Sequence, residues 1–354
     1  MRKIKQLLHH IFIDGLSGMA LGLFSTLIIG TIIQQIGNLI DGDLGRIIFD
    51  MGKIAASLTS AGIGVGVAYK YKESPLVVLS AATAGMAGGF ANAILSGNIL
   101  VDGVITLTGP GEPFGAFIAA STAIFVGHLI SDQTKLDILI TPLVTISAGT
   151  VVGLLVGAPI ATFLSSIGGI INWATTQQPL LMGILVSVIM GMALTAPISS
   201  AALAIILNLS GLAAGAATIG CCCNMVGFAV ASYRENKMGG LLSQGLGTSM
   251  LQMPNIVRNP LIWLPAILSS ALLGPIATLV FKMENNATGA GMGTSGLVGQ
   301  LMTYQVMSET TSSTIVMVQI AVMHFILPAI VTLIISEFMR KKKLIKFGDM
   351  RINF

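Results

Sequence analysis

A run of 96 residues, from Ile138 to Tyr233, contains no Asp, Glu, Lys, Arg or His. The surface of a water-soluble protein needs charged side chains, because these are almost never fully buried unless they are paired. A charge-free segment of this length therefore needs a nonaqueous environment, and a lipid bilayer is the environment that fits. This one feature predicts a membrane protein.

The composition of the whole chain supports the same prediction. Hydrophobic residues make up 54% and charged residues 9% of 354 residues, and the mean hydropathy is +0.89. A soluble domain carries about 25% charged residues. The net charge of +4 comes from basic residues in short loops and near the ends of the chain, so it does not indicate a nucleic-acid partner.

The apolar segments predict helices. Backbone polar groups inside a bilayer must be paired within the protein, and the alternating pattern of barrel strands is absent. At roughly 20 residues for each crossing, we predict an all-α polytopic membrane protein with about ten transmembrane helices. The predicted spans are 11–40, 47–68, 75–95, 113–131, 137–157, 159–172, 179–207, 210–231, 260–281 and 315–338.

These spans define one transmembrane domain, 1–338, followed by a basic tail, 339–354. The first apolar run is too long for the hydrophobic part of a signal peptide, so we interpret it as the first span. Basic residues favour the cytoplasmic side of a membrane. Both termini are basic and are expected in the cytoplasm, which requires an even number of crossings. The weak span 159–172 is retained for this reason.

Glycines repeat at four-residue spacing in several spans. Gly18 and Gly22 in the first span and Gly62 and Gly66 in the second are examples. Small residues on one helix face allow two backbones to approach closely. The spacing therefore predicts tight helix packing and carries no chemistry.

Four regions are too polar or too rich in Gly and Pro to face lipid, yet too apolar for ordinary loops. They are 92–115, 195–200, 239–259 and 282–305. The last two each contain Gly-Thr-Ser, at 247–249 and 293–295, which we interpret as a turn and a helix start capped by the hydroxyl residue. A helix that begins at membrane depth directs its free N–H groups into a cavity. We therefore predict two re-entrant hairpins around a solute site, with ordinary extramembrane loops as the alternative.

Polar side chains in or near these regions are candidate solute contacts. Carboxylate and amide groups can pair with the donors and acceptors of sugar hydroxyls, and an ionisable residue inside a membrane is a functional candidate by default. The candidate substrate-binding residues are Glu112, Asn98, Gln252, Asn255, Glu284, Asn285, Thr294 and Ser295. A position of Glu112 at the lipid headgroups is the alternative for that residue. Replacing Glu284 and Asn285 with alanine is expected to abolish solute binding without loss of folding.

Other polar residues in the spans have simpler interpretations. His324 lies inside the last span, as a packed histidine or as a proton relay. Cys221, Cys222 and Cys223 are consecutive, and successive helical residues point about 100° apart, so they cannot form one metal site. The sequence has no P-loop, no HExxH and no nucleophile triad. We therefore expect no self-contained enzyme, no cofactor and no bound metal.

Two stretches resemble a known family. Phe-Lys-Met-Glu-Asn-Asn-Ala at 281–287 and Gly-Ala-Gly-Met-Gly-Thr-Ser-Gly-Leu-Val-Gly-Gln at 289–300 resemble the membrane IIC-like (EIIC) family of the bacterial phosphotransferase system, in the branch sometimes labelled a toxin-gene regulator. Residues 259–265 and 273–276 are similar too. The resemblance covers nearly the full chain.

The resemblance implies a bacterial inner-membrane protein that forms a homodimer, with two re-entrant hairpins and a sugar-like solute site in each protomer. In sugar-transporting relatives, a soluble IIB phosphocarrier phosphorylates the bound sugar. Those relatives often carry Gly-Ile-Thr-Glu-Pro, whereas this chain has only Gly111-Glu112-Pro113, early in the sequence. We expect no fused IIA or IIB domain, so coupled phosphorylation is not implied by this sequence alone.

The expected function is transport of a sugar or sugar acid by alternating access around a site at the membrane midplane. Expected partners are the lipid bilayer, a small polar solute, a IIB-like phosphocarrier and a second copy of the chain. The alternative is a membrane-embedded regulator that senses a solute and does not transport it.

Overall fold

The computed structural model describes residues 14–352 except Asp102 and Thr108. The N-terminal basic residues on which the predicted orientation depends, Arg2, Lys3 and Lys5, lie outside the described residues, as does the beginning of the predicted first span. The described chain is mostly helical and falls into two compact units, one up to Leu164 and one from Ser165 onward.

The first unit consists of helices and one small hairpin. Its helices are α1 (Leu16–Asn38), α2 (Asp43–Ser57), α3 (Thr59–Lys70), α4 (Pro75–Gly89), α5 (Ala91–Leu95), α6 (Pro113–Ile130) and the first part of α7 (Asp137–Thr175). Strands β1 (Leu100–Val101) and β2 (Val104–Ile105) pair antiparallel, with Leu100 opposite Ile105. Helices α2 and α3 form a pair bent by 53°.

Glycines allow α1 and α3 to pack in contact through their backbones. A Cβ added to Gly22 would lie 2.2 Å from the Gly62 carbonyl oxygen, and one added to Gly66 would lie 2.2 Å from the Gly18 carbonyl oxygen. No side chain fits at these distances, so the four-residue spacing correctly predicted close packing of these two helices.

The second unit is built around one central helix. Its helices after α7 are α8 (Pro179–Thr195), α9 (Ser200–Ile206), α10 (Gly211–Ala231), α11 (Tyr233–Leu242), α12 (Met253–Arg258), α13 (Leu264–Leu279), α14 (Ala287–Ala290), α15 (Val298–Met307) and α16 (Ser313–Lys341). Helix α10 packs against α8, α13 and α16. In the apolar stretch of α10, 89% of the helix is buried inside the protein, so α10 is an interior helix.

The predicted spans match the helices with one clear exception. Among the described residues, six helices are long and apolar enough to cross a membrane, or seven with the bent pair α2–α3, and α4 and α8 are shorter apolar helices. Segments 137–157 and 159–172 are not two spans, because α7 continues for 39 residues through Pro142 and Pro159. Proline disfavours a helix interior, but membrane helices tolerate it where other groups satisfy the freed carbonyl.

Because α7 is one continuous helix, segments 137–157 and 159–172 do not count as two crossings, and the predicted total of ten is not supported. Thirty-nine residues at 1.5 Å each extend for roughly 58 Å, whereas the hydrocarbon core is about 30 Å thick. One helix therefore accounts for both predicted segments. The cytoplasmic position of both termini stays a prediction.

Candidate functional site

Three interruptions of the helices meet beside α10 in the second unit. We name them segment A (195–200, between α8 and α9), segment B (243–252, between α11 and α12) and segment C (285–297, between α13 and α15). Three hydrogen bonds join them in pairs: Thr195 Oγ1 with Ser249 Oγ at 2.7 Å, Ser200 Oγ to Gly291 O at 2.7 Å, and Thr294 Oγ1 to Gly245 O. Three of the four irregular regions predicted from composition, 195–200, 239–259 and 282–305, therefore meet in one buried structure, whereas 92–115 lies in the first unit.

Asn224 of α10 ties segments A and B to the helices around them. Its Oδ1 accepts hydrogen bonds from Thr195 Oγ1 at 3.0 Å and from Trp263 Nε1 at 2.9 Å. Its Nδ2 contacts Ser270 Oγ of α13 at 3.4 Å. Asn224 is fully buried. A buried amide with its hydrogen-bonding groups occupied stabilises one arrangement of the surrounding helices.

Asn285 likewise ties segment C to the helices around it. Its Nδ2 donates to Thr218 Oγ1 of α10 at 2.8 Å and to Gly299 O at 3.1 Å. Its Oδ1 accepts from the backbone N–H of Asn286 at 2.8 Å. The Asn285 side chain is therefore occupied by protein groups.

The two Gly-Thr-Ser sequences differ in structure. Thr248 caps the short helix that follows it, because its Oγ1 accepts from Met250 N at 3.1 Å, as predicted. Thr294 caps no helix. Gly296 and Leu297 have φ angles of 53° and 60°, so the chain turns through left-handed conformations before α15 begins at Val298. The capping prediction is thus wrong for the second sequence.

Nine side chains in the second unit retain buried polar atoms without a hydrogen-bond partner among the described residues. Four of these are the contacting pair Gln300 and His324, Thr303 on the same helix as Gln300, and Ser295 of segment C. We call Ser295, Gln300, Thr303 and His324 the Gln300–His324 group. The unpartnered atoms are Ser295 Oγ, Gln300 Oε1, Thr303 Oγ1 and His324 Nε2. Buried polar atoms are nearly always hydrogen-bonded, so each exception calls for a water, an ion or a ligand.

The contact between Gln300 and His324 determines which of their atoms remain as donor and acceptor. Gln300 Nε2 and His324 Nδ1 are 3.0 Å apart. The amide nitrogen donates, so Nδ1 accepts and a neutral ring carries its hydrogen on Nε2. Gln300 Oε1 then remains as an acceptor and His324 Nε2 as a donor. Gln300 and Thr303 are three residues apart and share one face of α15.

The backbone around His324 is also irregular. His324 lies in a π-helical turn, Ala321–Ile326, within α16. Such turns occur frequently at functional sites. His324 was the polar residue of the last span for which the sequence left a packed and a functional role open.

The three cysteines of α10 point in three directions. Cys221 belongs to an apolar cluster with Met190 and Ala217, and Cys223 to another with Leu273 and Met323. Cys222 instead lies 3.6 Å from Gln300 Nε2. Cys222 is therefore the cysteine that borders the Gln300–His324 group.

Two of the predicted site residues belong to the first unit. Glu112 caps α6, because its Oε2 accepts from Gly115 N at 2.7 Å, while its Oε1 is buried without a partner among the described residues. Its backbone N–H donates to Gly89 O at 2.7 Å. Asn98 is exposed between α5 and β1.

Gln252 and Asn255 lie in the second unit and hold the C-terminal tail. Gln252 Nε2 donates to Gln244 Oε1 at 2.8 Å and to Met350 O at 3.0 Å. Asn255 Nδ2 donates to Gln252 Oε1 at 2.8 Å and to Arg351 O at 2.9 Å. Their amide hydrogens are thus occupied by the protein itself.

Comparison with known proteins identifies the family. The family model described as phosphotransferase system, EIIC matches residues 13–352. This chain belongs to the phosphotransferase-system EIIC family. The resemblance found in segment C and around α13 is thereby confirmed. EIIC is the permease component of the system and not its phosphotransfer domain. A search of curated proteins finds no match.

The remaining predicted site residues of this EIIC protein lie in or next to segment C, in different environments. Glu284 is exposed, and Asn285 and Thr294 are buried and hydrogen-bonded within the protein. Ser295 alone retains a buried hydroxyl without a partner among the described residues. Sequence reasoning missed Asn224, Gln300 and Thr303. An amide inside an apolar span such as α10 was a usable signal, because it needs partners across helices.

The contrast between Glu284 and Asn285 gives a direct prediction. Asn285→Ala removes two donated hydrogen bonds between segment C, α10 and α15, and we expect it to lower the stability of this EIIC protein by about 1–3 kcal/mol. Glu284→Ala changes an exposed neighbour and is expected to leave stability unchanged. Thermal unfolding of both purified variants in detergent measures this, and equal melting temperatures would contradict the role of Asn285. We therefore expect only the Glu284 substitution, and not the Asn285 substitution, to leave folding intact.

Proposed function

We propose that this EIIC protein is a permease for a small polar solute, a sugar or a sugar acid, which the Gln300–His324 group holds inside the second unit. The observation that carries the proposal is the set of buried polar atoms without partners. They offer an acceptor on Gln300, a donor on His324 and two hydroxyls; Gln300 and His324 are 3.0 Å apart, and Thr303 follows Gln300 by one helical turn. Sugar hydroxyls are both donors and acceptors, so they match this set.

The interrupted helices support transport. Transporters commonly bind solutes near the midplane, where discontinuous helices supply polar groups and one helical group moves against another. Segments A, B and C are such interruptions, and irregular backbone at membrane depth is tolerated where it is buried in protein or lines water. We propose that 239–259 and 282–305 are the re-entrant hairpins, and that the solute lies beside segment C.

The remaining parts of the proposal follow from the family. The protein would be a homodimer in a bacterial inner membrane with both termini in the cytoplasm. Phosphorylation of the solute would need a separate IIB-like phosphocarrier. In this scheme the protein's own residues bind and orient the solute hydroxyls and perform no group transfer.

A solute-sensing regulator is the second candidate, and one observation favours it. Segment C contacts segment B through Thr294 and Gly245, and segment B holds the tail through Gln252 and Met350. A change in segment C on solute binding would therefore have a path to the tail. Such a protein would bind solute without moving it.

Thermal-shift screening against hexoses, polyols and sugar acids tests the proposal. We expect at least one of these compounds to raise the melting temperature of the purified protein, because a ligand that binds only the folded state stabilises it. Uptake of that compound into reconstituted vesicles supports the permease, and binding without uptake supports the sensor. If no compound of these three classes shifts the melting temperature, the proposal of a sugar-like solute is wrong.

A further inference from the structure

The C-terminal tail is an integral part of the second unit. Met350 is fully buried, and Ile345 is 2% exposed, in a cluster with Phe228 and Met339. Asn236 binds the tail twice, because its Nδ2 donates to Met350 O at 2.8 Å and its Oδ1 accepts from Ile352 N at 2.8 Å. These contacts fix the positions of the basic residues that precede Met350.

The tail forms part of the wall of an open basic cavity of about 430 Å³ at the end of α16. The residues that line it are Arg234, Arg340, Lys343, Ile345, Lys346 and Phe347. Arg234 comes from the beginning of α11, Arg340 from the last turn of α16, and the others from the tail. The cavity thus combines four cationic side chains from three parts of the chain.

Of the four cationic side chains, only the two arginines form ion pairs with carboxylates. Arg340 contacts Glu235, whose side chain is fully buried, at 3.0 Å. Arg234 contacts Glu337 at 3.1 Å. Asp349 accepts from the backbone N–H of Lys346 and from Asn259 Nδ2. Among the described residues, neither lysine ammonium has an ion-pair partner. The cavity therefore keeps a surplus of positive charge.

Arg340 also retains a free donor. Its side chain is 10% exposed, and its Nη2 donates to Glu235 and to Ala231 O. Its Nε is buried without a partner among the described residues. Arg340 lines the cavity together with two ammonium groups that have no ion-pair partner among the described residues, and such a set of donors fits an anion with several oxygen acceptors.

We propose that this cavity binds a phosphate group. The surroundings favour the headgroup of an anionic phospholipid as its source, because the cavity lies at the end of α16, a candidate membrane span, and its lining residue Phe347 is 75% exposed. Clusters of Lys and Arg at the end of a membrane span attract anionic lipids, and basic pockets at this level bind phospholipid headgroups. Free phosphate has the same chemistry and is the other source.

Lipid-dependent thermal stability of the full-length protein in an uncharged detergent tests this proposal. The variant is Lys343→Gln with Lys346→Gln, which leaves both arginine–glutamate pairs intact. The matched control is Lys341→Gln with Lys342→Gln, which removes the same charge from exposed residues that do not line the cavity. Each protein is heated with phosphatidylglycerol, with phosphatidylcholine, and with inorganic phosphate against chloride at equal ionic strength.

We expect phosphatidylglycerol to raise the melting temperature of the wild type and the control by several degrees more than phosphatidylcholine, and the Lys343/Lys346 variant to lose most of this difference. Stabilisation by inorganic phosphate that is lost in the same variant supports the site with soluble phosphate as its ligand. Equal stabilisation of the Lys343/Lys346 variant and the wild type would overturn the proposal. Equal loss in both double variants would also overturn it, since total charge would then explain the effect.

Discussion

Replacing Gln300 with leucine is expected to weaken solute binding at least about tenfold, which corresponds to 1.4 kcal/mol. The reason is that Gln300 Oε1 is a buried acceptor whose missing partner we assign to the solute. A binding site built to hydrogen-bond a hydroxyl loses affinity when one side of the pair is removed. Titration of the screening compound that most stabilises the wild type measures the change.

The control for this prediction is Gln305→Leu. Gln305 is exposed on the same helix, α15, so this variant makes the same chemical change outside the Gln300–His324 group. It is expected to bind the compound as the wild type does. Equal affinities of the Gln300 and Gln305 variants would refute the assigned site.

Thr303→Val separates binding from folding. The Thr303 hydroxyl has no partner among the described residues, and valine keeps nearly the same shape, so the folded protein loses no internal hydrogen bond. We expect unchanged thermal stability and an affinity reduced by about 1 kcal/mol, or roughly fivefold. A drop in stability with unchanged affinity would place Thr303 in the core rather than in a solute site.

Replacing Asn224 with leucine is expected to lower the stability of the protein by about 3 kcal/mol or more. The substitution leaves Trp263 Nε1 and the Thr195 and Ser270 hydroxyls short of a buried partner. Single hydrogen bonds between membrane helices contribute about 0.6 kcal/mol on average, but Asn224 joins α8, α10 and the beginning of α13. Thermal unfolding in detergent measures the loss.

Asn172→Leu is the matched control for Asn224. Asn172 lies on α7 within the same charge-free run, but its side chain is exposed. This variant is expected to unfold within a degree or two of the wild type. If both variants unfold together, Asn224 does not hold the helices, and the account of α10 as the organising helix is wrong.

The sequence predicted the helices of this protein better than the contacts between them. Hydropathy indicates which solvent surrounds a segment, and this was enough for spans such as α6 and α10 and for the interruption at segment A. Hydropathy could not show that α7 continues through Pro159. Proline usually ends a helix, but it also occurs inside membrane helices, so the residue alone does not distinguish the two cases.

The partners of polar side chains were less predictable. Gln252, Asn285 and Gln300 have similar amide groups, yet the first holds the tail, the second holds α10, and only the third keeps a free acceptor. That difference depends on residues far away in the chain, such as Met350 and Thr218. The sequence shows that an amide side chain is present, but only the tertiary packing determines whether that amide is available to a ligand.

Thiol labelling of Cys222 tests the central claim, that water and solute can reach the Gln300–His324 group. Two single-cysteine proteins are compared in native membranes with a small water-soluble thiol reagent, one with Cys222 and one with Cys223, the other cysteines being alanine. Cys222 contacts Gln300 and Cys223 lies in an apolar cluster. We predict that Cys222 is modified faster and that the stabilising compound slows the reaction. Equal resistance of both cysteines, with full labelling only after denaturation, would contradict the account.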